Sequence, residues 1–391
     1  MSLHFTASED EFRAEARTWL ATHSPGRLPS MDTADGAAAH RAWEKELAAH
    51  RWSVVAWPAA LGGRDATLTE WVIFEEEYYH SGAPTRISQN GISLLAPIIF
   101  EHGTDEQKQR FLPPMADGSQ VWAQAWSEPE AGSDLASIRS RACRDDTRGG
   151  WVLSGQKTWS SRAPWADQGF GLFRSDTTAE RHRGLTYFLF PLTAPGITVR
   201  PIAQLDGDAG FAEIFFDDVF VPDADVLGTV GDGWRVAMST AGNERGLSLR
   251  SPGRFTAAVE RLIDLWRDRG DEVPAAAESV VDAWICARAY QLYTWGTVER
   301  LDGGGQLGAL GSVNKLFWSQ LDLDLHTCAL DILGTDQELR GPGAPAGGAW
   351  AEDHLFALAG PIYAGTNEIQ RNIVAERLLG LPRGDNTRSG S

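Results

Sequence analysis

The hydrophobic period of this 391-residue chain changes twice, and those two changes constrain the fold more than any single motif does. From Ser8 to about Gln120, apolar residues recur at helical spacing: Phe12, Ala16, Trp19 and Leu20, then Trp43 and Leu47, then Trp71, Phe74 and Tyr78. A Trp-Pro and Gly-Gly loop at 57–63 interrupts them, and the acid run Glu75, Glu76 and Glu77 reads as a solvated helix face. After Gly118 the chain breaks into short aromatic and β-branched runs at 122–126, 151–154, 184–192, 196–202 and 213–220, separated by Gly, Pro and Asp. Glycines between 228 and 233 mark the exit, and Trp234 opens a second helical region that continues to about Leu379, with loops at 303–305 and 341–348. The expected architecture is α+β: an all-helical domain over 1–120, a β domain over 121–232 and a helical domain over 233–391.

A formal net charge of -18 argues against nucleic-acid binding, which needs a basic face. No apolar run is long enough to span a bilayer, and the first residues lack the pattern of a secretory signal, so a soluble, cytoplasmic protein is expected. Cys143, Cys286 and Cys328 lie far apart without paired spacing, which suggests neither disulfides nor a metal site and predicts three buried small hydrophobes.

Four stretches stand out for chemistry. In 362–371, Gly365 frees the backbone for a bend and Thr366 can cap the helix that follows, whose apolar set is Ile369, Ile373, Val374 and Leu378. A helix start of this kind offers N–H groups to an electron-rich ligand edge, although an ordinary capped helix has the same pattern. In 126–134, Pro129 and Gly132 enforce a turn in which Ser127 and Ser133 place hydroxyls beside exposed amides, which suits an acceptor-rich ligand or simply a capped loop. In 155–161, Trp159, Ser160 and Ser161 follow a strand, where a tryptophan is normally core. On the helix after Trp234, Glu244 shares a face with the small residues Ala237, Ala241 and Ser248, which leaves room for a ligand, and a surface Glu244–Arg245 pair is the plain alternative.

Taken together, these segments and the domain order resemble the acyl-CoA dehydrogenase family along the whole chain. The resemblance implies that fold, with an N-terminal helical domain, a middle β-barrel-like domain and a C-terminal helical bundle. It also implies FAD as cofactor. In the family, the positions matching Trp126, Ser127, Trp159, Ser160, Ser161, Thr366 and Glu368 meet the flavin, and the position matching Ser133 meets cofactor or the substrate's pantetheine arm. Arg245 and Gly365 would contact substrate. The segment 89–97 would lie near the acyl pocket. Two departures matter. Ala364 stands where many members carry their catalytic glutamate, and Glu244 precedes Arg245 where some members place the base instead, so Glu244 inherits the role of base while the Ala364 N–H still meets the thioester oxygen. Glu130 replaces a usual glycine. The region containing Arg267 and Arg269 lacks the Phe-Gly that reaches a neighbouring subunit's FAD.

The activity implied is α,β-dehydrogenation of acyl-CoA to 2,3-enoyl-CoA, with an electron-transfer flavoprotein as acceptor and a homodimer or homotetramer as the assembly. The segments 156–159 and 376–380 look closest to actinobacterial members of steroid and specialised metabolism. Alternatives are an oxidase, a dehydrogenase of a carrier-protein-bound short acyl chain in polyketide precursor supply, and a flavin-free partner subunit of a heteromer.

Overall fold

The structure is a computed structural model that describes residues 4–270, 272–341 and 343–383, with the side chains of 240–251 outside the description. It divides into two compact units, residues 2–247 and 248–391. In the first, helices α1 (Ala7–His23), α2 (Ala34–Ala49), α3 (Leu68–His80), α4 (Ala96–His102) and α5 (Asp105–Ala116) precede the strands. Three of these helices start at a reciprocal capping box, Thr6 with Glu9, Thr67 with Glu70 and Thr104 with Gln107, each satisfying two otherwise orphan amides. The apolar stripes anticipated from spacing meet in one cluster built on Ala16, Leu20, Trp43, Leu47, Phe74 and Tyr78. A π-helical turn, Asn90–Leu95, runs directly into α4.

The acid run on α3 is not solvated. Glu75, Glu76 and Glu77 are buried; α1 supplies the counter-ions of Glu76 and Glu77, and Arg86, after α3, that of Glu75. Arg13 reaches Glu76 at 3.1 Å and Glu77 at 2.8 Å, Arg17 reaches Glu77 at 2.9 Å, and Arg86 lies 3.2 Å from Glu75. Burial alone would raise the Glu77 carboxyl, but the two guanidiniums outweigh it and hold the group below the usual carboxylate range. Carboxylates this buried persist only when paired, and Arg13 and Arg17, one helical turn apart on α1, provide the pairing.

The strands are β1 (Trp122–Ala125), β2 (Arg141–Asp145), β3 (Gly150–Lys157), β4 (Gln168–Arg174), β5 (Leu185–Pro191), β6 (Ile197–Ile202), β7 (Phe211–Pro222) and β8 (Val226–Leu227). They form one sheet in the order β6-β7-β3-β2-β4-β5-β8, with β1 added on β4. Strands β2 and β4 pair only through Arg141 and Arg174, so the halves can turn toward each other at that point. Phe216 of β7 accordingly packs 5.0 Å from Phe173 of β4 and 5.1 Å from Phe190 of β5, which gives the domain its barrel-like core.

The second unit begins within α6 (Gly233–Arg269) and continues through α7 (Ala277–Asp302), α8 (Leu310–Leu333), α9 (Ala349–Ala357) and α10 (Asn367–Arg377). Its core joins Phe255, Leu262, Val280, Tyr290, Leu325 and Ile332. Of the three cysteines only Cys328 is buried; Cys286 is half-buried and Cys143 exposed. On β2 the alternation gives the inward place to Ala142, which turns Cys143 outward. No helix among the described residues is long and apolar enough to cross a membrane.

Candidate active site

In the first unit, β1 delivers the chain to Trp126, and a turn closes where Glu128 and Ala131 exchange backbone hydrogen bonds of 3.0 Å each. Pro129, Glu130, Gly132 and Ser133 are exposed on this turn, with Glu130 facing Arg139 at 3.3 Å. The Glu128 carboxylate folds back into the protein, accepting from the Arg139 amide at 2.6 Å, the Ser140 amide at 2.9 Å and Lys157 Nζ at 2.8 Å. Lys157, at the end of β3 and fully buried, also donates to the carbonyls of Trp126 at 3.3 Å and Leu172 at 2.7 Å. Burial pushes the Lys157 ammonium down to about 8, against the pull of Glu128. Burial would raise the Glu128 carboxyl, yet Lys157 and the two amides hold it below its ordinary value.

One residue further on, the Thr158 amide donates to the Ser127 carbonyl at 2.9 Å. Two stretches singled out from sequence, 126–134 and 155–161, therefore lie side by side. Trp159 is not core. It takes a left-handed backbone, φ +56°, and its indole is 60% exposed, edge-on to Phe211 at 6.0 Å. Ser160 exchanges backbone hydrogen bonds with Ala212 at 3.0 and 3.1 Å, while its hydroxyl is buried without a partner among the described residues. The indole N–H of Trp126 is in the same condition. Ser161 is half-buried, and its carbonyl accepts from Asn90 Nδ2 at 3.3 Å, which attaches the π-helical turn to this corner.

In the second unit, Ala364 and Gly365 take successive left-handed conformations, φ +57° and +81°, and Thr366 caps α10 by accepting from the Ile369 amide at 3.3 Å. Gln370 fixes this shape from inside, its Nε2 donating to the carbonyls of Ala364 at 3.0 Å and Gly365 at 3.3 Å. Among the described residues nothing accepts from the amides of Ala364, Gly365 and Thr366. Asn367 anchors the loop from below: its Oδ1 accepts from Lys315 at 2.8 Å and Ser319 at 3.2 Å, both on α8. The exposed Glu368 lies 3.4 Å from Arg371, and the main-chain amide and Thr366 hold its carboxyl below the ordinary value.

The helix expected from the apolar spacing forms as α10, but its buried residues are polar. Asn367 and Gln370 are buried, while Ile369, Ile373 and Val374 are half-buried and Leu378 is exposed, because the buried polar pair secures the preceding loop rather than a hydrophobic core. Lys157, Glu128, Gln370, Asn367 and Lys315 carry the geometry of these loops without having been assigned to it from sequence. Lys157 alone offered a cue, as a lysine inside an otherwise strand-like run. The side chains of Glu244 and Arg245 lie outside the described residues, although α6 runs through both positions. Arg269 is taken by Asp336 at 2.6 Å, and Arg267 by Asp264 at 3.1 Å.

Residues 6–119, 123–219 and 231–379 match the N-terminal, middle and C-terminal domains of acyl-CoA dehydrogenases. The acyl-CoA dehydrogenase IpdE1 of Mycolicibacterium smegmatis is 39% identical over 392 residues, covering 95% of this chain and 98% of its own. The solved Tcur3481-Tcur3483 steroid ACAD superposes with a TM-score of 0.86 at 27% identity, over 98% of this chain and 100% of that one. The ChsE4-ChsE5 complex from Mycobacterium tuberculosis does so with a TM-score of 0.82 at 27% identity, over the same shares of the two chains. Across both units, with matches to all three domains of one enzyme family, the chain belongs to the acyl-CoA dehydrogenases and is an oxidoreductase.

Proposed function

We propose that this chain catalyses the FAD-dependent α,β-dehydrogenation of an acyl thioester, acyl-CoA to 2,3-enoyl-CoA, organised in domains 1–120, 121–232 and 233–391. The observation that carries the reading is the run of amides at Ala364, Gly365 and Thr366, carried on two successive left-handed residues and without an acceptor among the described residues. Backbone donors fixed in advance are what a developing enolate oxygen requires, and the Ala364 amide supplies one whatever its side chain.

The donor set fits a flavin. The Trp126 indole N–H and the Ser160 hydroxyl are buried and unspent among the described residues, and Trp159 presents an exposed indole beside them. An acceptor-rich heterocycle answers these features, with Ser127, Ser133, Ser161, Thr366 and Glu368 completing its contacts. When bound, FAD supplies the acceptor for the hydride that leaves Cβ. Glu244 takes the α-proton, its carboxylate made more basic when substrate excludes water, and Arg245 holds the CoA arm, offsetting the repulsion of a chain with net charge -18. Ala364 supports the base assignment, because it removes the competing acid from the position that many family members use.

An electron-transfer flavoprotein would serve as the external electron acceptor. Similarity to the Tcur3481-Tcur3483 steroid ACAD and to the ChsE4-ChsE5 complex favours a second reading: this chain works beside a partner subunit, with steroid side-chain thioesters among its substrates. Carrier-protein-bound short chains remain the other substrate class to screen.

Glu244→Gln decides the central claim. The variant is expected to retain flavin absorbance while losing dehydrogenation by about a thousandfold, within the range of a general base. Turnover equal to the parent would remove Glu244 from the mechanism. A colourless, catalytically silent protein, yellow and active only with a partner, would favour the second reading.

A further inference from the structure

Far along the chain from the segments described above, α1 and α2 end beside one another in a cluster that the dehydrogenase chemistry does not use. His23 is the last residue of α1, His50 caps the C-terminus of α2, and Glu46 lies one turn before His50 on the same face. One ligand-type atom from each of the three lies within 4.8 Å of the others, the sole such group of three among the described residues. We propose that His23, Glu46 and His50 bind a borderline divalent cation of the Zn2+ class, through two imidazoles and one carboxylate, with water completing the coordination.

Three features of the geometry favour this ligand. The Nδ1 of His23 lies 2.9 Å from the Trp19 carbonyl and that of His50 lies 3.2 Å from the Glu46 carbonyl. His23 Nδ1 also lies 2.8 Å from the Thr22 hydroxyl and His50 Nδ1 3.4 Å from the Glu46 carboxylate, so both rings are held in place through Nδ1. The Trp19 indole stacks on His23 at 4.5 Å and 7° and lies 5.3 Å from His50, so it restrains both rings, whose centroids are 5.2 Å apart. Both helices end here, and the partial negative charge of their terminal carbonyls favours a cation. Nearby positive groups are already engaged: Arg64 with Glu15 at 2.6 Å, and Arg51 with the Gly63 carbonyl at 2.9 Å.

Tetrahedral ligands about 2.0–2.2 Å from Zn2+ stand about 3.3–3.6 Å from one another. The cluster must therefore contract by roughly an ångström, which the exposed rings of His23 and His50 can do by side-chain rotation. Nitrogen-rich coordination with one carboxylate selects Zn2+, Ni2+ or Cu2+ over Mg2+ and Ca2+, which prefer all-oxygen sites. A bound ion would staple α1 to α2, stabilising the folded chain logarithmically as the free ion rises above its dissociation constant.

The test is a calorimetric titration of the full-length, tag-free, chelator-treated protein with Zn2+, paired with thermal unfolding in the presence and absence of the ion. One Zn2+ per chain and a raised melting temperature are expected. His50→Asn and His23→Asn should each weaken binding roughly tenfold or more and abolish the thermal shift, with dehydrogenation unchanged. Should His50→Asn fail to fold, the exposed His23 carries the same test. Absence of stoichiometric Zn2+ binding by the parent, or parental affinity in the variants, overturns the site.

Discussion

Lys157 and Glu128 form a buried ion pair of 2.8 Å that ties the end of β3 to the turn after β1, across 29 residues of sequence. The pair governs geometry at both ends, since Lys157 also grips the Trp126 carbonyl and Glu128 gathers the amides of Arg139 and Ser140. Its consequence is positional: Trp126 and Trp159 are carried on segments that cannot shift independently.

Lys157→Met would leave the Glu128 carboxylate buried with only two amides, and breaking one side of such a pair costs about 3–5 kcal/mol. The double variant Lys157→Met with Glu128→Gln removes both charges and should cost less than the sum of the single changes. Urea unfolding of all three variants measures the coupling. Strict additivity would mean that the pair contributes nothing beyond its separate groups.

The Gln370 side chain plays the corresponding part in the C-terminal loop. Gln370→Ala frees the carbonyls of Ala364 and Gly365, and lets Ala364, whose left-handed backbone costs about 1–2 kcal/mol, relax. Gly365→Ala should produce the same phenotype by another route, because a Cβ there would approach Gln370 Nε2 to 2.6 Å. Both variants are expected to lose about tenfold in kcat/KM, consistent with one misplaced transition-state donor, while remaining folded. Steady-state kinetics beside thermal unfolding separates this from simple destabilisation: a lower melting temperature with unaltered kcat/KM would limit Gln370 to a scaffolding role.

The order helix, sheet, helix was legible because its signals are periodic and local. Trp43, Phe74 and Tyr78 repeat at helical spacing and pack in one cluster as that spacing requires. Strands β2 and β4 were not legible. Gln168–Arg174 is a glycine-containing run, Gly-Phe-Gly-Leu-Phe at its centre, buried without alternation, and Arg141–Asp145 lacks β-branched residues, so pairing with neighbours rather than intrinsic preference makes both into strands. The acid run on α3 failed for a related reason: the counter-ions of Glu76 and Glu77, Arg13 and Arg17, lie 60 or more residues away. At the candidate site, the segments were identifiable from their residue types, but the interactions that hold them, Lys157 with Glu128 and Lys315 with Asn367, join distant positions and leave no local pattern.

Stability should fall with rising pH because of one histidine in the second unit. His326, on α8, is buried with Nδ1 2.7 Å from the Asp322 carbonyl and 3.2 Å from its carboxylate, and Nε2 3.8 Å from Asp353 on α9. Arg254 shares Asp322 at 3.0 Å, Arg261 lies near Asp353, and the Trp350 ring is 5.8 Å from the imidazole. Burial opposes the imidazolium, but the two aspartates outweigh it and raise the group from 6.5 to about 9. The folded chain thus keeps a proton that the unfolded chain releases. The resulting stabilisation, about 3 kcal/mol, is complete below pH 6.5 and is lost as pH rises through 9. Between about pH 7 and 8 His326 alone should contribute a slope near 1 kcal/mol per pH unit. Lys157, whose ammonium the buried fold releases near 8, opposes it increasingly toward pH 8, so the contribution is read as the difference between the parent and His326→Gln. Denaturant unfolding of both proteins across that window measures the difference, and the His326→Gln curve should fall less steeply than the parent's or rise. A parent and a His326→Gln variant with the same slope from pH 7 to 8 would show that the two aspartates do not hold His326 charged.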